Sequence, residues 1–205
     1  DLSFDSPQAL EISSRIQEEI MFAALSRSCA IAKEHGPHES FQETRMAKGV
    51  LPFELWGIEL ENMTRWNKLR EDIQKYGVRN SLSIAIAPTA TIASVTGVYE
   101  CVEPQVSNLF KRETLSGDFL QINRYLISKL KEHGLWTEAI REKIKLNEGS
   151  IQGIDSIPED IQNVYRTAWE LPQKALVDMA AARGPFIDQA QSLNLFMASP
   201  TIGKL

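Results

Sequence analysis

The chain has 205 residues and carries 22 Lys and Arg against 27 Asp and Glu, a net charge of −5. That balance argues against a nucleic-acid binder, which presents a basic face and a high pI. No apolar run approaches the roughly 20 residues of a membrane span, and the acidic start Asp1-Leu2-Ser3-Phe4-Asp5 does not read as a signal peptide. Cys29 and Cys101 lie far apart and make no disulfide framework, which suits a reducing cytoplasm. His35, His38 and His133 show no metal-ligand spacing, so no metal site is expected.

Ser6-Pro7 starts the first predicted helix, with Ser6 as N-cap and Pro7 at the first helical position, and Gly36 stops it. Phe22, Leu25, Cys29 and Ala32 recur at helical spacing, and so do Ile12, Ile16 and Ile20, which predicts burial on more than one side. Cys29 sits inside the stripe as a small buried hydrophobe. Residues 36–61 have no sustained period and read as a long connection anchored by Phe53, Leu55 and Trp56. A second helix over 63–76 places Trp66, Leu69 and Ile73 on one face and ends at Gly77.

Residues 81–88 alternate Leu82, Ile84 and Ile86 with small residues, the period-2 pattern of a buried strand. Pro88 ends it, since proline has no N–H for a ladder. Thr89, Ala90, Thr91 and Ile92 then open a short helix. Its first turn has unpaired N–H groups and a partial positive charge, and the threonines add hydroxyls, so the stretch can cradle a phosphate. A threonine that merely caps its own helix would give the same pattern, and the residues alone leave both readings open.

Further on, 107–113 reads as a short strand. Ser116 is expected to cap a helix whose stripe is Phe119, Ile122, Leu126 and Leu130, ending at Gly134. Shorter helices follow at 137–147, after Pro158 (Ile161, Val164, Tyr165 and Ala168 inward) and after Pro172 (Leu176, Met179 and Ala180, to Gly184). Residues 186–197 return to strand character, with Leu193, Leu195 and Met197 on one face. Buried strands separated by helices are the grammar of an α/β barrel or wound sheet, but two or three strands cannot close a barrel.

Several of these stretches resemble the large subunit of class I ribonucleotide reductases. The resemblance is carried by Ala87-Pro88-Thr89-Ala90-Thr91-Ile92-Ala93, Glu103-Pro104-Gln105-Val106-Ser107-Asn108, Gly149-Ser150-Ile151-Gln152 and Phe186-Ile187-Asp188-Gln189-Ala190-Gln191-Ser192-Leu193-Asn194, in the family's order. It implies an α/β fold, a helix-rich fragment of the family's ten-stranded barrel, with residues 1–205 forming a single partial domain. It also implies thiyl-radical reduction of ribonucleoside diphosphates, with Pro88, Thr89, Ala90, Thr91 and Ile92 holding the substrate's phosphates.

The family's radical cysteine stands in an Asn-x-Cys-x-Glu loop, expected before residue 1, and its tyrosine relay is expected beyond residue 205. Tyr99-x-Cys101-x-Glu103 imitates the loop but has Tyr where Asn is required, so no catalytic residue is assigned here. Alone, the chain is expected to be inactive and to bind no cofactor. The implied partners are the remainder of the large subunit, a radical-generating metallo-subunit, a ribonucleoside diphosphate, nucleotide effectors and thioredoxin or glutaredoxin. Two alternatives are a non-catalytic nucleotide- or partner-binding module that retains the fold, and a fragment of an adenosylcobalamin-dependent reductase.

Overall fold

A computed structural model describes residues 1–114, 117–199 and 201–203 of the chain. Helix α1 spans Pro7–His35; the Ser6 hydroxyl accepts from Ala9 N at 3.1 Å, and Gly36, at φ 79°, donates its N–H to Ala32. One face of α1 is buried through Met21, Leu25 and Cys29. The second apolar row is not. Ile12, Ile16 and Ile20 are 47, 56 and 48% exposed along an open cleft of about 720 Å³. Periodicity correctly places these side chains in a row, but it cannot say whether a neighbouring element stands opposite.

Three 3-10 turns, Phe41–Glu43, Met46–Lys48 and Pro52–Trp56, fold the long connection over α2, Met63–Tyr76. Of its expected anchors only Phe53 is buried; Leu55 is half-exposed, and the Trp56 ring lies over Gly184, where an added Cβ would sit 3.0 Å from it. Asn62 caps α2, and Gly77, at φ 77°, ends it against Pro37, leaving no room for a side chain. Trp66 is fully buried, with its ring edge-on to Phe22 and Phe53 at 5.1 and 4.9 Å and its indole N–H donating to Glu18 at 3.0 Å. These residues, with Met21, Leu25 and Phe186, form the first core.

Residues 81–88 do not form the expected strand: this extended segment meets residues 188–192 in parallel through a single bridge, between Ile86 and Gln191. Gln189 N donates to Ile84 O (3.1 Å), Ile86 N to Ala190 O (3.1 Å) and Ser192 N to Ile86 O (2.8 Å). The Asp188 carboxylate accepts from the amides of Ser83 and Ile84, both at 2.8 Å. Ile84 is buried, but Leu82 is 55% exposed, so the segment is covered along part of its length. The expected strand over 186–197 does not form: Gly184–Phe186 is a 3-10 turn, and the stretch after it pairs only through the bridge at Gln191. Beyond it the alternation fails: Leu193 and Leu195 are exposed, and Phe196 turns back onto Trp169, ring centroids 5.5 Å apart.

A short helix α3, Ala90–Thr96, follows the extended segment. Then come β1, Leu109–Thr114, and β2, Gly117–Ile122, an antiparallel hairpin in which Leu109 faces Ile122 and Thr114 faces Gly117. This corrects the expectation of a helix from Ser116, a residue outside those described. Helix α4 runs over Arg124–Glu132 and is capped by Asn123, whose side chain accepts from Tyr125 N and Leu126 N. Leu126 and Leu130 keep the predicted stripe, whereas 117–122 are captured by pairing with β1, because a tertiary partner overrides a local helical period. Helices α5 (Glu138–Leu146), α6 (Glu159–Val164) and α7 (Gln173–Arg183) follow. The second core is aliphatic, built on Leu126, Leu130, Ile140, Ile144, Ile151 and Ile161. Among the described residues no helix is long and apolar enough to cross a membrane, and no group of His, Cys, Asp or Glu could hold a metal.

Candidate functional site

Pro88, Thr89, Ala90, Thr91 and Ile92 lie together on an exposed turn between the extended segment and α3. The helix makes its first internal hydrogen bond from Ala93 N to Thr89 O, at 2.8 Å. The amides of Ala90, Thr91 and Ile92 come before that bond and have no i−4 carbonyl within the helix, leaving them free to turn toward an anion. Ala93, 3% exposed, is the one α3 residue buried, and it pins the helix to the body.

Thr89 departs from the sequence expectation. It adopts the left-handed conformation, φ 57° and ψ 21°, and makes no capping bond to α3. Its hydroxyl instead accepts from Cys101 N at 3.4 Å, while the same amide donates to Pro88 O at 3.1 Å. The hydroxyl proton is therefore still available to a ligand. Cys101 is itself left-handed, φ 57°, so two non-glycine residues in a sparsely populated region face each other across the turn.

The loop that carries Cys101 is anchored behind it. Tyr99 accepts from Val106 N at 3.3 Å, and burial pushes its phenol up to about 12. Burial and the adjacent Glu103 carboxylate likewise push the Cys101 thiol up to about 12, so it stays protonated at neutral pH and is no nucleophile there. Glu103 is 6% exposed; its Oε1 accepts from Asn194 N at 3.0 Å, and among the described residues its buried Oε2 has no hydrogen-bond partner. Arg183 is also buried, and burial lowers its guanidinium while the charge of Glu103 partly restores it. Arg183 donates to Gln191 Oε1 at 3.3 Å and to Ser13 Oγ at 3.2 Å.

The sequence singled out the turn but missed Cys101 N, Glu103, Arg183 and Gln191 as its supports. The only local sign was an acidic residue before Pro104; the partners that explain it lie about 90 positions away. The assembled chemistry is anion recognition by amides and hydroxyls. The five turn residues contain no side chain that titrates near neutral pH and no nucleophile activated by a base.

The profile of the family described as "Ribonucleotide reductase, barrel domain" matches residues 1–205. The ribonucleoside-diphosphate reductase large chain of Neurospora crassa is 45% identical over 204 residues, covering 100% of this chain and 22% of that one. The large subunit of Caenorhabditis elegans is 44% identical over 198 residues, 97% of this chain and 25% of that one. Among solved structures, the Actinobacillus ureae class Id ribonucleotide reductase alpha subunit superposes with a TM-score of 0.69 at 29% identity, over 97% of this chain and 31% of the other. The chain thus spans about a quarter of the length of the curated relatives it matches.

Proposed function

From the premise that this chain belongs to the ribonucleotide reductase barrel-domain family, we propose that it works as part of a ribonucleoside-diphosphate reductase large subunit, where residues 88–92 bind the substrate's phosphates. In this reading the chain holds and orients the diphosphate, while the radical and the reducing thiols come from elsewhere in the assembly. Its partners are the remainder of the large subunit, a radical-generating metallo-subunit and a thioredoxin- or glutaredoxin-type reductant, in a reducing cytoplasm.

The observation that supports the site is the exposed turn itself: three consecutive amides ahead of the first helical hydrogen bond, flanked by the Thr89 and Thr91 hydroxyls. A diphosphate gains from such donors because they are oriented before it arrives and bond to a charged acceptor.

The test is equilibrium binding of ribonucleoside diphosphates to the full-length large subunit carrying this sequence. Thr91→Val removes one hydroxyl contact and should weaken binding by about 1.5–3 kcal/mol, the range for a hydrogen bond to a charged group. Ile92→Pro should weaken it more, since proline removes an amide and drives Thr91 out of helical geometry. Ala90→Gly keeps its N–H and should do much less. All diphosphates should be affected by a similar factor. Parental affinity in a folded Ile92→Pro protein would remove the phosphate role from the turn.

A further inference from the structure

We propose that Glu103 is a positioning residue for the turn at 88–92, holding the left-handed Thr89–Cys101 contact in place from behind. The proposal rests on the phosphate-binding reading of that turn and adds what keeps the turn in shape.

The first observation is the paired backbone outlier. Thr89 and Cys101 both have φ 57°, and Cys101 N bonds to Pro88 O and to the Thr89 hydroxyl. A β-branched residue does not hold a left-handed conformation unless its surroundings enforce it. The second observation is what stands two residues on. The Glu103 carboxylate is buried beside the Cys101 thiol and accepts from Asn194 N, and the buried Arg183, which bonds to Gln191 and Ser13, feels its charge. Asn194 lies two residues beyond the segment that pairs with 84–86, and Gln191 in that segment is held by Arg183 and by Ala180 O at 2.8 Å. Glu103 thereby joins the loop after α3 to the partner of the extended segment before α3. The turn is gripped from both of its ends. Removing the carboxylate strips Asn194 N of its acceptor and breaks the tie between the two segments, so a substitution here releases the loop rather than leaving it unchanged.

A purely structural Glu103 would alter thermal stability alone. A positioning Glu103 alters diphosphate affinity in protein that is still folded. In the full-length large subunit, Glu103→Ala should weaken binding of ADP and CDP alike, by about tenfold, the loss expected when a strained turn is no longer held. Binding of the corresponding nucleosides, which lack phosphate, should not change. Should the alanine variant fail to fold, Glu103→Gln keeps an acceptor for Asn194 N but loses the charge felt by Arg183, and it should show a smaller loss in the same direction. Cys101→Gly added to either variant should restore most of the affinity, since glycine adopts φ 57° without being forced. Parental affinity in folded Glu103→Ala or Glu103→Gln, with Thr91→Val still weakened, overturns the proposal and leaves the phosphate site standing. A loss shared equally by nucleosides and not rescued by Cys101→Gly overturns it in favour of a structural role. Parental affinity in Thr91→Val as well removes the phosphate site, and the proposal with it.

Discussion

The core around Trp66 and the turn at 88–92 are held by opposite means. Trp66 is enclosed by Phe22, Phe53 and Met21 and contributes through area removed from water, whereas the turn is exposed and owes its shape to a few polar contacts from distant parts of the chain. The difference teaches that stability and recognition are lodged in separate places here. The first can be changed without touching the second, and the second can be lost while the protein stays folded.

The largest expected effect is on the core side. Trp66→Ala should destabilise the fold by about 3–5 kcal/mol through the cavity it leaves, read as a lower midpoint in denaturant, with diphosphate affinity unchanged in the fraction still folded. An affinity loss in that fraction would break the division. Next come the turn variants Ile92→Pro and Thr91→Val, which should lose affinity with little change in midpoint. Cys29→Ser returns to the core. It places a hydroxyl at a site 4% exposed between α1 and α2 and should cost about 1–3 kcal/mol where it finds no partner, visible in unfolding and absent from binding.

The smallest effect concerns Cys101. Its thiol is raised above its ordinary value of 9.0 to about 12 in the folded chain. A raised folded value favours the folded state while the thiol is protonated in both states, so this contribution is present below pH 9 and is lost as pH climbs from 9 toward 12. Unfolding of the parent and of Cys101→Ser compared across pH 8–11 should therefore diverge at the alkaline end, the parent losing the more. Parallel curves would show that the thiol is not held in the environment described.

What could be read in advance was what is local. Ser6-Pro7, Gly36 and Gly77 mark helix ends through their own backbone chemistry, and the structure places α1 and α2 where those residues put them. The motif at 88–92 was visible for the same reason, as a proline followed by threonines ahead of a helix, although the strand expected before it is reduced to one bridge. The errors lie where the outcome depends on a partner. Phe119 and Ile122 fit the helical period of Leu126 and Leu130, yet residues 117–122 belong to the hairpin because β1 lies alongside. The row Ile12, Ile16 and Ile20 has an apolar pattern that would suit burial, but exposure is decided by what stands opposite. Glu103 gave no sign of being buried, because Asn194 reaches it only in the folded chain.

The parallel pairing of the extended segment has a consequence in time. Ser83 and Asp188 are separated by 105 positions, so a ribosome adding roughly 5–20 residues per second delivers the partner about 5–20 s after the segment itself. During that interval the amides of Ser83 and Ile84 have no carboxylate to meet, and the turn beyond them has no frame. Contacts this remote in sequence also form late on refolding, since a long loop must close before they return any energy. The turn is thus among the last parts of the chain to take shape, and a protease or chaperone acting on the nascent protein meets it as an unframed loop.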